Sequence, residues 1–277
     1  MTVPAITLNN GVEIPQLGFG VFQIAPEDTV AAVSTALSVG YRHIDTAQMY
    51  GNEREVGEAV RQSGLPRHEV FVTSKLSNGR QERDDILRAV DGTVAALGGD
   101  PVDLFLIHWP LPTLRDYLVA WHALEEAHAG GKARAIGVSN FQVPHLERVL
   151  AESRTVPAVN QIELHPYLVQ AELREFGHRH GIATEAWSPI ARGKVLDDPA
   201  VGTIADRLGR TPAQVVLRWQ VQLGNIVFPK SQTPSRIAEN FSLWDFELGA
   251  DDMATITALD RGERTGPDPD TFDRVPS

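Results

Sequence analysis

The sequence predicts an α/β fold, a closed (β/α)8 TIM barrel with an N-terminal β-hairpin. Short strand-like runs alternate with helix-like stretches about eight times along the 277 residues, and such alternation predicts a parallel sheet. About eight units in a chain of this length favour a closed barrel over an open sheet. No linker rich in proline, glycine or serine divides the chain. We therefore expect residues 1–277 to form a single barrel domain.

The strands are predicted from short apolar runs, and a hairpin precedes them. The stretch ITLNNGVEI alternates apolar and polar residues around Asn10 and Gly11, which is the strongest short-range hairpin signal. The runs that follow are PQLGFG, YRHID, VFVTSK, VDLFLIHW, ARAIGVS, PAVNQIE, IATEAW and NIVFPK. Their position between helix-like stretches is typical of the parallel strands of a barrel.

Helices are predicted where apolar residues recur at helical spacing and a glycine follows. The stretches with these signals are residues 27–40, 83–99, 117–131 and 211–224. The last of them has Thr211 as its N-cap and Pro212 at its first helical position. By contrast, we expect residues 261–277 to form an irregular C-terminal tail.

Composition and charge argue against several classes of function. The chain has 25 Lys and Arg against 36 Asp and Glu, a net charge of -11, which argues against general nucleic-acid or anionic-membrane binding. The absence of cysteine excludes disulfides, thiolate nucleophiles and cysteine-based zinc sites. We see no secretory signal pattern and no run of about 18 apolar residues. We expect a cytoplasmic, monomeric protein.

Polar residues stand at the predicted strand ends, where a barrel carries its functional groups. From the second strand onward they are Asp45, Lys75, His108, Ser139, Asn140, Gln161, Trp187, Ser188, Lys230 and Ser231. Each alone has an ordinary explanation, such as a surface lysine, a helix-capping aspartate or a core histidine. The barrel, however, brings the aspartate, lysine and histidine to the same face as Tyr50. Such convergence indicates an active site.

The chemistry of this group suits protonation of a carbonyl oxygen. A buried partner such as Asp45 keeps the Lys75 ammonium charged. We expect the ammonium to lower the pKa of the Tyr50 phenol from about 10, so that the phenol can give and retake a proton. A neutral His108 can donate a hydrogen bond to the same oxygen. The carbonyl carbon is then attacked either by a cofactor hydride or by Lys75 as a Schiff base.

A phosphate-binding corner is predicted after the last strand, in FPKSQTPSRIAEN. No G-x-G-x-x-G or Walker A motif is present, which excludes a Rossmann site. Lys230, Ser231 and Arg236 instead cluster at a helix N-terminus capped by Thr233, and this corner of a barrel often binds phosphate. Two cations here indicate a multiply charged anion, such as a 2′-phosphate with its pyrophosphate neighbour. A phosphorylated substrate fits equally well.

The stretches HIDTAQMYGNE, SKL, IHWP, IGVSNF, NQIELHP and FPKS closely resemble signatures of the aldo-keto reductase superfamily. Their order fits from Val3 to Asp260, and the resemblance is closest to the bacterial 2,5-diketo-D-gluconate reductase-like and prostaglandin F synthase-like branch. It implies NADPH-dependent reduction of aldehydes and ketones to alcohols, with Tyr50 as proton donor assisted by Asp45, Lys75 and His108. Small dicarbonyls are the expected substrates, and their detoxification is the expected role.

The resemblance also implies the residues that contact NADPH. Ser139, Asn140 and Gln161 would hold the carboxamide of the nicotinamide, and Trp187 would stack on its ring. Gly20 and Val21 would lie beside the nicotinamide, and Ser188, Ile190 and Gly193 along the pyrophosphate. Lys230, Ser231 and Arg236 would bind the 2′-phosphate, with Phe228 and Gln232 in the loop that carries Lys230. Glu239 and Asn240 would contact the adenine.

Phe22, Ser77 and Trp109 are the expected substrate contacts. Near relatives commonly carry tryptophan where this chain has Ser77, so one aromatic wall is missing unless Trp109 or the tail replaces it. A small, open pocket is expected rather than a steroid-shaped one. The stretch HRHG at residues 178–181 lacks the pattern of a metal site, and no metal is predicted.

Two other functions remain as alternatives. An aldolase-like enzyme with Lys75 as the Schiff base would work without NADPH, and borohydride would trap its substrate on the lysine. A regulatory relative would bind NADPH without turning over any carbonyl. The intact group of four polar residues argues against the regulatory alternative.

Overall fold

The computed structural model describes residues 3–275, and they form the predicted (β/α)8 barrel. Eight parallel strands follow one another in chain order: β3 Phe19–Gly20, β4 His43–Asp45, β5 Phe71–Leu76, β6 Val102–Ile107, β7 Ala133–Ser139, β8 Val159–Glu163, β9 Ala183–Trp187 and β10 Ile226–Val227. The last strand returns to the first. The Gly18 N–H donates to the Val227 carbonyl at 2.8 Å, and the Val227 N–H donates to the Gln16 carbonyl at 2.9 Å. The barrel is therefore closed.

The predicted hairpin is confirmed and covers the amino-terminal end of the barrel. Strands β1 (Ala5–Thr7) and β2 (Glu13–Pro15) pair antiparallel, and Gly11 adopts φ 83° in the turn between them, where glycine carries no steric penalty. Leu8 and Ile14 of this unit pack with buried interior residues of the strands. The hairpin thus leaves the carboxyl end as the open mouth.

Helices surround the barrel at the predicted places. They are α1 Pro26–Val39, α2 Glu53–Gln62, α3 Arg83–Leu97, α4 Tyr117–Ala129, α5 Val143–Glu152, α6 Ala171–Arg179, α7 Pro199–Leu208, α8 Pro212–Gln222, α9 Pro234–Phe241 and α10 Ala250–Thr257. In the part of the chain that the structure describes, no helix is long and apolar enough to cross a membrane.

The two predicted helix caps differ. The Thr211 hydroxyl accepts from the Gln214 N–H at 3.3 Å and caps α8, as predicted. Thr233 occupies the N-cap position of α9, but its side chain forms no capping bond. Its own N–H is instead bound by the Ser231 hydroxyl at 3.1 Å. The loop before α9 is thus held by a serine two residues before the predicted cap.

The barrel interior changes from apolar to polar along the strands. Near the hairpin it is filled by Phe71, Leu104 and Leu106, which are buried with their neighbours in one apolar cluster. Towards the mouth the inward side chains include buried Asp45 and Lys75. The outward faces of the strands pack against the helices in a second apolar core. Polar groups are therefore concentrated inside the barrel near its open end.

The tail lies across this open end. Residues 261–275 contain no helix or strand. The Arg261 guanidinium stands 3.6 Å from the centre of the Tyr167 ring, and the Asn78 amide donates to the Arg274 carbonyl at 3.0 Å. The tail is thus attached to loops around the mouth at Arg261 and at Arg274.

Candidate active site

The centre of the site is an ion pair inside the barrel. Lys75 Nζ lies 2.7 and 2.8 Å from the two carboxylate oxygens of Asp45, and 2.9 Å from the Thr46 carbonyl. The same nitrogen lies 3.4 Å from the Tyr50 hydroxyl. Both charged side chains are fully buried. The ammonium is therefore fixed in place and aimed at the phenol.

The charge of Lys75 is maintained against its burial. Burial alone would lower the pKa of its ammonium, but the nearby carboxylate of Asp45 and its hydrogen bonds raise that pKa above its usual value. An opposite charge in contact with a buried group favours the charged form. Lys75 is therefore an ammonium at neutral pH.

The prediction of a lowered pKa for Tyr50 is wrong for the protein alone. Burial raises the pKa of the Tyr50 phenol, and the Lys75 charge offsets this only in part, while Asp45 acts in the opposite sense. The physical reason is that a phenolate at this position would lose its hydration, and the Lys75 ammonium that attracts it is already paired with Asp45. Tyr50 therefore keeps its proton at neutral pH.

His108 is a neutral imidazole, as predicted. It follows β6 directly, and burial together with the Lys75 charge sets its pKa well below the usual value. Its ring centre lies 5.7 Å from that of Tyr50, and within residues 3–275 its Nδ1 atom has no hydrogen-bond partner. A phenol and a neutral imidazole thus stand together at the mouth.

A buried asparagine, which the sequence analysis did not single out, positions Tyr50. The Asn52 amide nitrogen donates to the carbonyls of Val21 at 3.2 Å and Ile24 at 3.1 Å, and its oxygen accepts from the Thr46 hydroxyl at 2.8 Å. These bonds tie the loop after β3 to the turn that carries Tyr50. In the sequence, this role is indicated by a polar residue, Asn52, directly after Tyr50 and Gly51 in HIDTAQMYGNE.

The residues expected to hold the nicotinamide lie together beside the ion pair. The Ser139 hydroxyl donates to the Gln161 carbonyl at 2.8 Å, and the Trp187 indole donates to the Asn140 amide oxygen at 2.8 Å. The Gln161 amide nitrogen donates to Asp45 at 2.8 Å. The strand ends β7, β8 and β9 thus form one polar wall next to the ion pair.

The segment after β9 has an unusual backbone. Ser188, Ala191 and Arg192 have φ of 50°, 50° and 53°, and Gly193 has φ 94°. Non-glycine residues in the left-handed region are uncommon and tend to cluster at binding sites. Ile190, with Ser188 and Gly193, belongs to this segment at the mouth of the barrel.

The first and last strands approach closely beside the mouth. A side chain at Gly20 would place its Cβ 2.9 Å from the Phe228 carbonyl oxygen, so only glycine fits there without a shift of the backbone. Phe228 and Val21 are buried at this junction, and the Phe228 ring centre lies 6.0 Å from Lys75 Nζ. These residues join the ion pair to the loop that follows β10.

The predicted phosphate-binding residues form a separate corner between β10 and α9. Lys230 and Arg236 are exposed, and neither forms an ion pair within residues 3–275. Ser231 accepts a hydrogen bond from the Thr233 N–H, and Asn240 is nearly buried. Gln232 donates to Asp28 at 3.2 Å, and Glu239 accepts from Thr211 at 2.9 Å. The corner therefore presents cations, whereas its glutamine and glutamate are held by neighbouring helices.

The expected substrate residues line the mouth unequally. Phe22 is 49% exposed, and its ring centre lies 5.0 Å from that of Tyr50. Trp109 packs against Phe272 of the tail at 4.4 Å between ring centres. Ser77 contributes a backbone N–H that binds the Gln48 side chain at 2.8 Å. An aromatic ring of the tail thus stands beside Trp109, and the sequence analysis did not single out Phe272.

Two buried glutamates were also missed. Glu163 at the end of β8 accepts hydrogen bonds from His165 and from the Thr265 and Gly266 N–H groups, and so attaches the tail to the barrel. Glu185 lies in the middle of β9 with no exposed surface. Their signal in the sequence is a carboxylate within the apolar runs NQIEL and IATEAW.

Comparison with known proteins identifies the family of the chain. Residues 16–261 match the description of the aldo/keto reductase family. An aldo-keto reductase of Mycolicibacterium smegmatis is 52% identical over 269 residues, covering 97% of this chain and 98% of that protein. The methylglyoxal reductase DkgA of Escherichia coli is 45% identical over 269 residues, covering 96% of this chain and 97% of that protein.

A solved structure is similar over almost the whole fold. It is a mutant of Gox0644 in complex with NADPH, with a TM-score of 0.94 and 44% identity, covering 98% of this chain and 99% of that one. The family description and these relatives extend over nearly the whole barrel and its mouth. The chain therefore belongs to the aldo/keto reductase family.

Proposed function

We propose that the protein reduces aldehydes and ketones to alcohols with NADPH, and that Tyr50 is the proton donor. Membership of the family makes the chain an oxidoreductase that uses NADP(H). The observation that carries the proposal is the Tyr50 hydroxyl, 3.4 Å from the Lys75 ammonium and beside a neutral His108. A protonated phenol next to a fixed cation suits proton transfer to an oxygen that gains negative charge.

The residues at the mouth fit NADPH. The Gln161 amide nitrogen is bound within the protein, which leaves the amide oxygen as the end available to a carboxamide. Lys230 and Arg236 are exposed cations at the N-terminus of α9, as a 2′-phosphate requires. When bound, NADPH supplies the hydride that adds to the carbonyl carbon. Ser139, Asn140 and the residues after β9 would hold the rest of the cofactor.

Each member of the central group then has one task. His108 donates a hydrogen bond that orients the carbonyl oxygen, and Tyr50 transfers its proton to that oxygen as negative charge develops there. The phenolate that remains is stabilised by the Lys75 ammonium, which Asp45 holds in place. The raised pKa of Tyr50 ensures that the proton is present before the reaction begins.

Small dicarbonyls are the substrates we propose. The Escherichia coli relative named methylglyoxal reductase is 45% identical, and methylglyoxal is a small dicarbonyl. Phe22, Trp109 and Phe272 provide aromatic surfaces around the mouth, which suit a compact carbonyl compound. A monomeric, cytoplasmic enzyme without nucleic-acid partners remains the prediction from the sequence.

The ion pair argues against the Schiff-base alternative. An amine must lose its proton before it can attack a carbonyl. The pKa of Lys75 is instead raised by its contacts with Asp45, and the ammonium donates at 2.7 and 2.8 Å to that carboxylate. The geometry favours a lysine that stays charged and acts on its neighbour.

The test is NADPH oxidation over a panel of small dicarbonyls, with Tyr50→Phe in parallel. We expect the variant to lose about 10²- to 10⁴-fold in kcat, the typical contribution of a positioned acid, with its Kd for NADPH unchanged. Tyr41→Phe is the matched control because Tyr41 is a buried tyrosine that precedes β4, whereas Tyr50 follows it. Near-normal turnover by Tyr50→Phe would show that Tyr50 is not the proton donor. Tight NADPH binding without turnover by the unaltered protein would favour the regulatory alternative.

A further inference from the structure

A second carboxyl group lies inside the barrel, below the ion pair. Glu185 in β9 is completely buried, and its Oε2 accepts from the Gln161 amide nitrogen at 2.8 Å. The same nitrogen donates to Asp45 Oδ2 at 2.8 Å. Two carboxyl groups thus share a single amide, and that amide belongs to a residue of the proposed nicotinamide wall.

The charges around Glu185 do not balance if both carboxyl groups are ionised. Its neighbours inside the barrel are His43 and Asp45 of β4, Lys75 of β5 and Gln161 of β8, and its partner on β10 is apolar Ile226. The Lys75 ammonium is already paired with Asp45 at 2.7 Å. A buried carboxylate without its own counter-ion is strongly disfavoured.

His43 does not supply the missing positive charge. Its Nε2 lies 3.0 Å from the Thr73 hydroxyl and 3.6 Å from Glu185 Oε1. Burial lowers the pKa of His43 to about 3, so its ring is neutral at pH 7. Among residues 3–275, Glu185 Oε1 has no hydrogen-bond partner. A bare anionic oxygen here would be costlier than a protonated one.

We propose that Glu185 is a positioning residue that holds a proton inside the barrel at neutral pH and orients Gln161 between the two carboxyl groups. The inference rests on the proposed reductase function. The protonated acid leaves Asp45 as the single anion facing Lys75, and its Oε2 fixes the Gln161 amide nitrogen. The amide oxygen then keeps one direction, towards the position proposed for the nicotinamide.

The pKa of Glu185 supports this arrangement. Burial raises it to about 8 with the help of the neighbouring Asp45 charge, and the Gln161 hydrogen bond and the Lys75 charge offset these effects only in part. Above that pH a second negative charge appears beside the ion pair. It raises the pKa of Tyr50 further and makes the phenol a weaker acid, so the carbonyl reduction slows. The catalysed reaction should therefore lose rate as the pH rises through about 8.

The same shift makes a prediction about stability. A carboxyl group whose pKa is higher in the folded state binds more protons there than in the unfolded chain. Its contribution to stability is complete below the usual glutamate pKa of about 4.3. That contribution is lost as the pH rises through about 8.

The experiment compares Glu185→Gln with the unaltered holoenzyme. Glutamine keeps a hydrogen-bond acceptor and stays neutral at every pH, so we expect the loss of rate near pH 8 to disappear in this variant. The infrared difference spectrum between the two proteins at pH 7 should contain the carbonyl band of one protonated carboxylic acid.

Glu163→Gln is the matched control for the infrared measurement. Glu163 is also buried, but its pKa is lowered by hydrogen bonds from His165 and Thr265 that outweigh its burial, so it is ionised. Its replacement should remove no carboxylic-acid band. Glu185→Leu removes the acceptor, and we expect it to weaken NADPH binding about tenfold, provided that its thermal unfolding shows a folded protein.

The inference is overturned if Glu185→Gln removes no carboxylic-acid band, or if its pH profile coincides with that of the unaltered protein. The infrared band and the Kd for NADPH need no turnover. Failure of the inference can therefore be distinguished from failure of the proposed reduction, which Tyr50→Phe tests separately.

Discussion

Two charged regions stand at the mouth of the barrel, and they are built in opposite ways. Lys75 and Asp45 are buried on strands and joined at 2.7 Å. Lys230 and Arg236 are exposed on the loop and helix that follow β10 and form no ion pair in the described part of the chain. The difference separates charges that are partnered within the protein from charges that we propose to pair with a bound ligand.

The physical reason lies in solvation. A charge inside the barrel has lost its water, so it must be paired by the protein itself. A charge at the surface remains hydrated and can stay unpaired until a ligand binds. Asp45 therefore fixes the position of Lys75, and the loss of either partner would be destabilising. For Lys230 and Arg236 we propose the opposite, a contribution to cofactor binding and little contribution to folding.

The largest effect is expected when the buried pair is broken. Lys75→Met leaves the Asp45 carboxylate buried without a counter-ion, and we expect the free energy of unfolding to fall by about 3 to 5 kcal/mol. Turnover should fall by about 10³-fold because the phenol loses the cation beside it. Urea unfolding and dicarbonyl reduction measure both.

Lys132→Met is the control for this comparison. Lys132 pairs with Asp91 at 2.6 Å, but both side chains are about half exposed, so its loss should change the free energy of unfolding by less than about 1 kcal/mol. If Lys75→Met were as stable and as active as Lys132→Met, the contrast between buried and exposed pairs would fail.

A smaller, selective effect is expected at the exposed corner. Arg236→Ala should raise the KM for NADPH about tenfold, or about 1.4 kcal/mol, and leave the KM for NADH unchanged. The unfolding transition should not move, because Arg236 has no ion-pair partner to lose within residues 3–275. Arg179→Ala, at the exposed end of α6, serves as the control. Equal weakening of both cofactors by Arg236→Ala would contradict the assignment of the 2′-phosphate.

The smallest effect is expected where the tail meets the polar wall. A Cβ at Gly266 would lie 2.4 Å from the Trp187 ring, so Gly266→Ala must displace the ring or the tail. We expect the KM for the carbonyl substrate to change about threefold, with kcat nearly constant. Gly202→Ala, where a Cβ meets nothing within 4 Å, should change neither. A large loss of kcat in Gly266→Ala would place the tail in the chemistry itself.

The sequence by itself determined the architecture and the meeting of the central residues. Alternating strand and helix patterns are local, and a parallel barrel has few ways to arrange them. Once the barrel was predicted, Asp45, Lys75 and His108 had to share the mouth because each lies at or next to the carboxyl end of a strand. The cap at Thr211 was equally predictable, since its side chain bonds only three residues away.

The tertiary structure alone decided the protonation of the site and the shape of its rim. Burial outweighs the attraction of Lys75 and raises the pKa of Tyr50. The amino-acid sequence alone does not give the balance between these two effects. Gln161 joins Asp45, 116 residues away, to Glu185, and Phe272 of the tail packs on Trp109. These contacts depend on distances between segments far apart in the chain, and such distances exist only after the barrel has closed.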